Sequence, residues 1–279
     1  MMLRMTGNAR FGSPPQEVLA AFGVSGTPAA LKGGRGSSWR ADQLVLKPAD
    51  TSEEILAWQA RVLADVPIDN VRVGRPEPSR GGAFIVGGWS ASVFCLGRHE
   101  RRRWLDVVAV GRRLHRALAQ VARPGFLDSR ADPWAVADRA AWGDISLAPY
   151  RDAPHVARLE ERLKPVQAPS QVIHGDLTGN VLFADALPPA VIDLSPYWRP
   201  IEFATAIVVA DALAWERASV PELSPAMDVD QFGQLLARAL LFRIVLYAES
   251  TYATSSSAMK SSQLPAVDEL TYQLPPNLL

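Results

Sequence analysis

The most informative feature of this sequence is a set of polar side chains between short apolar runs. Residues 172–183, with the sequence Val-Ile-His-Gly-Asp-Leu-Thr-Gly-Asn-Val-Leu-Phe, put Asp176 and Asn180 in a polar loop between two apolar runs. A third apolar run, residues 190–192, ends in Asp193. Short apolar runs bounded by Gly, Asp and Asn are typical of β-strands joined by turns. The pattern therefore predicts three strands whose ends bring two carboxylates and one amide together.

These residue types match the needs of phosphoryl transfer. A carboxylate such as Asp176 can accept the proton of an attacking hydroxyl, and Asn180 and Asp193 can hold Mg²⁺ against nucleotide phosphates. The alternative is an ordinary β-hairpin with a polar turn. That alternative explains Gly179 and Asn180, but a carboxylate close to buried strand residues is costly unless it is paired or bound to metal. We favour the catalytic interpretation.

Composition excludes several other classes of protein. The chain has 279 residues, 48% of them hydrophobic, which is enough for one large domain or two lobes. Lys plus Arg equals Asp plus Glu at 29 each, so no overall charge favours nucleic acid or an anionic membrane as a partner. A single cysteine, Cys95, excludes an internal disulfide framework and a Cys-rich zinc site, and fits a reducing cytoplasm.

Neither an export signal nor a membrane-spanning stretch is expected. Arg4, Asn8 and Arg10 interrupt the N-terminal region where a signal peptide needs an apolar segment. The two longest apolar stretches, residues 203–215 and 235–248, are broken by charged residues, Asp211 in the first and Arg238 and Arg243 in the second. We therefore expect a soluble, cytoplasmic protein.

The N-terminal part contains a candidate phosphate-binding element. Residues 31–40 form a glycine- and hydroxyl-rich loop, and the strand predicted at residues 43–47 ends in Lys47. A glycine-rich loop can bring backbone N–H groups close to a phosphate, and a lysine on the next strand can reach the same anion. Each feature alone is more common in ordinary hairpins and on solvated surfaces. Thr51 and Glu54 stand at capping-box spacing, which predicts a helix that ends before Pro67.

From about residue 91 the sequence becomes helical. Apolar spacing predicts helices at residues 104–121, 131–141, 155–163, 201–215 and 229–249. The segment 87–89, Gly-Gly-Trp, is a natural hinge before this region, and a loosely packed tail is expected from about residue 250.

The segment from His174 to Leu182, together with residues 191–193, resembles the aminoglycoside phosphotransferase and choline kinase superfamily. Gly33 and Gly34 before Lys47, the hinge, and the segment 111–115 (Gly-Arg-Arg-Leu-His) support the resemblance, which covers about residues 30 to 215. It implies an α+β, protein-kinase-like fold with two lobes. Residues 1–88 would form a small β-rich, nucleotide-binding lobe, and residues 89–279 a larger helical lobe for catalysis and acceptor binding.

The resemblance also implies a role for each residue. Asp176 would be the catalytic base or the carboxylate that orients the acceptor hydroxyl, Asn180 and Asp193 the Mg²⁺ ligands, and Lys47 the contact to the α- and β-phosphates of ATP or GTP. His174 would brace the loop without taking part in the chemistry. The remaining residues expected at the nucleotide are Gly33, Gly34, Gly36, Ser37, Ser38, Gly88 and Trp89.

A small molecule is the expected acceptor, and the resemblance does not choose among aminoglycosides, choline-like amines, sugars and nucleosides. Acidic and aromatic side chains of the second lobe are candidates for the acceptor walls, although most of the tryptophans among them could simply fill the core. These candidates are Trp142, Tyr197, Trp198, Glu202, Asp211 and Trp215.

The chain departs from the family pattern at two points. Four steps separate Asp176 from Asn180 where five are usual, and a positive φ at Gly179 could absorb the difference. Gln59 takes the place of the glutamate that normally pairs with the strand lysine, a role that Glu54 could fill instead. The leading hypothesis is therefore a Mg²⁺-dependent small-molecule kinase. The alternative is a non-catalytic nucleotide-binding or regulatory protein with a kinase-like fold.

Overall fold

The computed structural model describes residues 12–31, 36–66 and 68–253, and it is an α+β fold as expected. The chain divides into two compact units. Of the described residues, those up to Glu100, with Arg116–Leu118 and Gly179–Leu194, form the first unit, and Arg101–His115, Ala119–Thr178 and those from Ser195 onward form the second. The predicted boundary after residue 88 was a functional division into nucleotide and acceptor lobes, and it stays a prediction.

The first unit contains an antiparallel six-stranded sheet, with strand order β1-β2-β3-β7-β5 and β6 paired to β7. Its strands are β1 Ala29–Ala30, β2 Trp39–Ala41, β3 Leu44–Pro48, β5 Pro76–Glu77, β6 Ile85–Val86 and β7 Trp89–Val93. Leu46 and Trp89 are buried in a core that also contains Val18 of helix α1 (Gln16–Ala21). Lys47 follows Leu46 in β3, so the alternation of a strand turns its side chain to the opposite face.

A second sheet of the first unit carries the segment around Asp193. Its order is β4-β10-β9, with β4 Arg72–Val73 parallel to β10 Leu187–Val191 and β9 Val181–Ala184 antiparallel to it. β9 and β10 correspond to two of the three predicted strands, the apolar run that follows Asn180 and the apolar run that precedes Asp193. Their antiparallel pairing brings the residue before β9, Asn180, opposite the residue after β10, Ile192.

Helix α2, Glu53–Asp65, packs one apolar face inward and begins at a different cap from the one predicted. Ser52, not Thr51, is the N-cap, because its hydroxyl accepts a hydrogen bond from the backbone N–H of Ile55 at 3.3 Å. Glu53 instead binds strand β6, where its carboxylate accepts a hydrogen bond from the backbone N–H of Ile85 at 2.8 Å. The helix ends before Pro67, which itself lies outside the described residues.

The second unit is mainly helical. Its helices are α3 Trp104–Ala117, α4 Pro133–Trp142, α5 Pro154–Glu160, α6 Ile201–Glu216, α7 Val220–Met227 and α8 Phe232–Ala253, with 3₁₀ turns at Leu118–Gln120, Gly125–Asp128 and Ala148–Tyr150. Five correspond to the predicted helices within a few residues, and α7 was missed because prolines at 221 and 225 obscure its pattern. The expected tail after residue 253 lies outside the described residues.

Helices α6 and α8 are apolar around most of their circumference, so they are the buried centre of this unit. A two-stranded antiparallel sheet, β8 Gln171–His174 with β11 Pro196–Arg199, belongs to the same unit and pairs His174 with Pro196. Across the part of the chain that the structure describes, we find no helix with both the length and the apolar character needed to cross a membrane.

Candidate active site

Lys47 and Asp193 meet in the first unit as an ion pair. The Lys47 ammonium donates to Oδ1 of Asp193 at 2.9 Å and lies 3.4 Å from Oδ2 of Asp50. Burial lowers the pKa of Lys47, but the two carboxylates outweigh it and leave the pKa above its ordinary value. The lysine is therefore a permanent cation held between two acidic side chains. Sequence reasoning missed Asp50, although its position three residues after Lys47, beyond a proline, indicates a turn that returns toward the strand end.

The backbone at Asp193 adopts a conformation that is unusual for a residue with a side chain. Its φ is +50°, in the left-handed region that glycine prefers. Two hydrogen bonds hold the residues on either side: the N–H of Ile192 donates to the carbonyl of Asn180 at 3.0 Å, and the Gln59 side chain donates to the carbonyl of Leu194 at 2.7 Å. Such strain persists where the surroundings enforce it, and it is concentrated at functional sites.

Gln59 thus has a structural role of its own. It is buried, and its amide fixes the backbone that follows Asp193. A glutamate at this position would pair with Lys47, which contacts Asp50 and Asp193 instead. Lys47 therefore has two acidic partners, although α2 carries glutamine and not glutamate at position 59.

The donor atoms of Asn180 and Asp193 suit Mg²⁺. Both residues offer side-chain oxygen, the ligand type that Mg²⁺ prefers, and the Asp193 side chain is 49% exposed, so its carboxylate remains accessible. No cluster of three or more His, Cys, Asp or Glu side chains with the geometry of a metal site occurs within the described ranges. The residues fit an ion held by one or two side chains and completed by water and phosphate oxygens.

Other residues predicted at the nucleotide are placed as follows. Gly33 and Gly34 lie outside the described residues. Gly36 has φ +70° and open space around it, and Ser37 and Ser38 follow, with the Ser38 carbonyl accepting from the N–H of Leu31. Gly88 also has positive φ, at +79°, and its carbonyl accepts a hydrogen bond from the N–H of Ala49 at 2.8 Å. The side chain of Trp89 is buried in the sheet core, so any contact with a base would come from the backbone there. Their part in nucleotide binding stays a prediction.

In the second unit, the loop after β8 is held rigidly by His174. This imidazole is fully buried, and its Nδ1 accepts hydrogen bonds from the backbone N–H groups of Asp176 at 3.3 Å and Ser195 at 3.2 Å. These contacts agree with the expected bracing role. The N–H of His174 in turn donates to Nε2 of His115 at 3.0 Å. Burial, with a smaller effect from His174, lowers the pKa of His115 to about 3, so this imidazole is a neutral acceptor.

Two glycines allow the backbone of the loop between β8 and β9 to adopt its conformation. Gly179 has φ +85°, which confirms the conformation expected to absorb the shorter spacing between Asp176 and Asn180. Gly175 lies against the ring of Tyr197, so closely that a Cβ there would be 2.5 Å from Cε2. The division between the two units falls inside this loop, with Asp176 in the second and Asn180 in the first.

Asp176 has a partner that sequence reasoning did not assign. Nη2 of Arg243, on α8, donates to Oδ1 of Asp176 at 3.1 Å. The same guanidinium is held by Asp211 of α6 through bonds of 2.7 and 2.6 Å. The sequence does indicate that Asp211 and Arg243 need oppositely charged partners. Each interrupts an apolar helix, and a buried charge requires an opposite charge nearby.

The candidate acceptor walls are largely engaged within the second unit. Glu202 pairs with Arg112 at 3.2 Å, and Asp211 pairs with Arg243 at 2.6 Å. Trp142 packs edge-on against Phe203 with ring centroids 5.2 Å apart, and Tyr197 is buried. These contacts match the alternative that such side chains fill the core. A place for any of them against an acceptor stays a prediction.

Solved structures of phosphotransferases match the chain over almost its full length. A spectinomycin phosphotransferase, solved with ADP and spectinomycin, matches at a TM-score of 0.57 and 17% identity, covering 94% of both chains. The choline kinase LicA of Streptococcus pneumoniae matches at 0.63 and 12% identity, over 92% of this chain and 97% of its own. The chain has the fold of the aminoglycoside phosphotransferase and choline kinase superfamily.

The superfamily fold was thus recognised correctly from the motif. A third structure, the GDP complex of an aminoglycoside 2'-phosphotransferase, matches at a TM-score of 0.56 and 10% identity over 92% of this chain and 95% of that one. No protein-family model matches the chain, and no curated protein matches it in sequence. The likeness therefore lies in the fold, and roles for individual residues rest on their own geometry.

Proposed function

We propose that this protein is a Mg²⁺-dependent kinase that transfers the γ-phosphoryl group of ATP or GTP to a hydroxyl of a small molecule. The observation that carries the proposal is the Lys47–Asp193 ion pair at 2.9 Å, with Asp193 held in a left-handed conformation, in a chain with a phosphotransferase fold. A strained acidic residue bound to a strand lysine has no evident use in a purely structural protein. The single cysteine is consistent with a cytoplasmic location.

Each residue has a separate task in the proposed reaction. Lys47 binds the α- and β-phosphates, and Asn180 and Asp193 hold the metal ion. When bound, Mg²⁺ neutralises charge on the phosphate oxygens. Asp176 orients the acceptor hydroxyl and accepts its proton as the hydroxyl oxygen bonds to the γ-phosphorus and the bond to the nucleoside diphosphate breaks. Positioning and charge neutralisation supply the rate enhancement.

The competing candidate is a nucleotide-binding protein without catalysis. It is favoured by one observation, the commitment of Gln59 to the Leu194 carbonyl where the family pattern has an acidic partner for the lysine. Asp50 and Asp193 supply that acidic environment in this chain, so we prefer the enzyme.

Acceptor-dependent release of ADP or GDP across a panel of aminoglycosides, amines, sugars and nucleosides, with Mg²⁺ present or chelated, tests the proposal. Slow Mg²⁺-dependent hydrolysis of ATP without acceptor provides a first readout, since water can replace the acceptor. Asp176→Asn should abolish both activities. Asp185→Asn, which changes an exposed carboxylate in the turn between β9 and β10, is the matched control and should leave them unchanged. Nucleotide binding with no turnover by wild type on any acceptor would select the non-catalytic candidate.

A further inference from the structure

Three charged side chains of the second unit form a chain that runs from the buried core to Asp176. The side chain of Asp211 is 3% exposed, that of Arg243 is 8% exposed, and that of Asp176 is 24% exposed. Arg243 donates Nε to Oδ1 of Asp211 and Nη2 to Oδ2, and the same Nη2 donates to Asp176. One guanidinium therefore bridges two carboxylates.

The charges in this chain do not cancel. Asp211 alone neutralises Arg243 through a two-point contact, which is the strongest geometry for such a pair. The second carboxylate leaves a net charge of about −1, and Asp176 is the most exposed of the three. The remaining negative charge is thus located on the side chain that would face the acceptor hydroxyl.

Aromatic rings restrict the guanidinium further. Its central carbon lies 5.7 Å from the ring centroid of Trp134, 5.8 Å from that of Trp215 and 5.3 Å from that of Phe242. Rings at this distance attract a cation and leave it little room to move. A side chain fixed on several sides can orient the group that it contacts.

We propose that Arg243 is a positioning residue for Asp176, whose carboxylate it holds in one orientation, while Asp211 fixes Arg243. The inference rests on the proposed kinase function, in which Asp176 receives the acceptor hydroxyl. Other titratable groups that face Asp176 are His174 of β8, through the backbone of the loop, and Tyr197 of β11. Both are buried, and burial raises the pKa of Tyr197 well above its ordinary value, so this tyrosine stays neutral in the working range.

Arg243 also serves the fold, so the test must separate the two roles. Arg243→Met alone leaves Asp211 buried without its partner, which destabilises the protein strongly. The double variant D211L/R243M removes both buried charges and replaces them with apolar side chains, a change that is often neutral for stability. Arg243→Lys keeps the positive charge but loses the fork that contacts two carboxylates.

Arg238 provides the matched control. It lies on the same helix, is 6% exposed and stacks at 5.0 Å from the ring of Trp142. Its guanidinium donates to the carbonyls of Lys164 and Gln234. Arg238→Lys therefore alters a buried arginine of α8 without touching the chain that leads to Asp176.

The experiment measures kcat and KM for steady-state hydrolysis of Mg·ATP, together with the melting temperature of each variant. In D211L/R243M we expect kcat to fall by about 10²-fold with KM for Mg·ATP unchanged, because only the orientation of Asp176 is lost. Arg243→Lys should retain more activity than the double variant, and Arg238→Lys should match wild type in kcat and KM.

Each outcome has a definite meaning. A folded D211L/R243M variant with wild-type kcat would overturn the positioning role while the kinase assignment stands. Loss of kcat in Arg238→Lys equal to that in Arg243→Lys would also overturn it, because a general packing effect would then explain both. Wild type without Mg²⁺-dependent turnover would overturn the proposed function and the positioning role with it.

Discussion

A side chain at Gly175, the residue before Asp176, should reduce both stability and activity. A Cβ at this position would lie 2.5 Å from Cε2 of Tyr197 and closer still to Cδ2, whereas ordinary contact begins at 3.4 Å. The loop or the ring must therefore move by about 1 Å. The ring cannot easily yield, because Tyr197 is buried, meets Phe242 edge-on with centroids 5.9 Å apart, and lies beneath the Arg130 guanidinium at 5.2 Å.

For Gly175→Ala we expect a loss of about 1–3 kcal/mol in the free energy of unfolding, the usual cost of overpacking a tight site. If the loop moves instead of the ring, Asp176 moves with it, and a displacement of about 1 Å can reduce kcat by about 10²-fold. Urea denaturation and Mg·ATP hydrolysis measure the two effects. Gly125→Ala is the control, because a Cβ there meets no atom within 4 Å. A Gly175→Ala variant with the stability and kcat of Gly125→Ala would refute the steric reasoning.

Three further results are expected. Asp193→Ala should weaken binding of Mg·ATP at least tenfold in calorimetry and have much less effect on ATP measured with EDTA, since the carboxylate acts through the metal; equal losses in both would contradict its role. His115 has a pKa of about 3 against an ordinary 6.5, so only the unfolded chain takes up its proton between these values, and stability should fall by about 1.4 kcal/mol per pH unit as pH decreases from 6.5. Urea titrations of wild type and His115→Gln should differ by this slope, and parallel curves would show that His115 is protonated in the native state. Ser52→Ala should cost about 1 kcal/mol through loss of the α2 cap, whereas Thr51→Ala should cost less than half of that; the reverse order would restore Thr51 as the cap.

Much of the fold could be predicted because local pattern and tertiary structure agree. The strand containing Lys47, the strands that precede Asp176 and Asp193, the strand that follows Asn180 and five helices of the second unit all follow hydrophobic periodicity. Helix α7 was missed because its two prolines suppress the helical signal. The cap of α2 was misplaced by one residue, because Thr51 and Ser52 are both good caps and only the tertiary position of Glu53, bound to β6, decides between them.

The site was predictable only as far as its residues are close in sequence. His174, Asp176, Asn180 and Asp193 lie within 20 residues, so a short motif places them at neighbouring strand ends. Asp50 and Arg243 come from other parts of the chain, and their partners depend on how a turn and two helices pack. Residues that select and orient the motif side chains are therefore found from contacts, even when the motif itself is recognised from sequence.

The charged residues of α6 and α8 show how such partners can be anticipated. Asp211 and Arg243 each interrupt an otherwise apolar helix, and Arg238 does so one turn or so before Arg243. Buried charges of opposite sign are expected to pair, which would have predicted a contact between Asp211 and one of the two arginines. Pattern alone could not decide which, because both arginines are buried. The structure selects Arg243, and that choice matters for function, because the arginine that neutralises Asp211 is also the one that reaches Asp176.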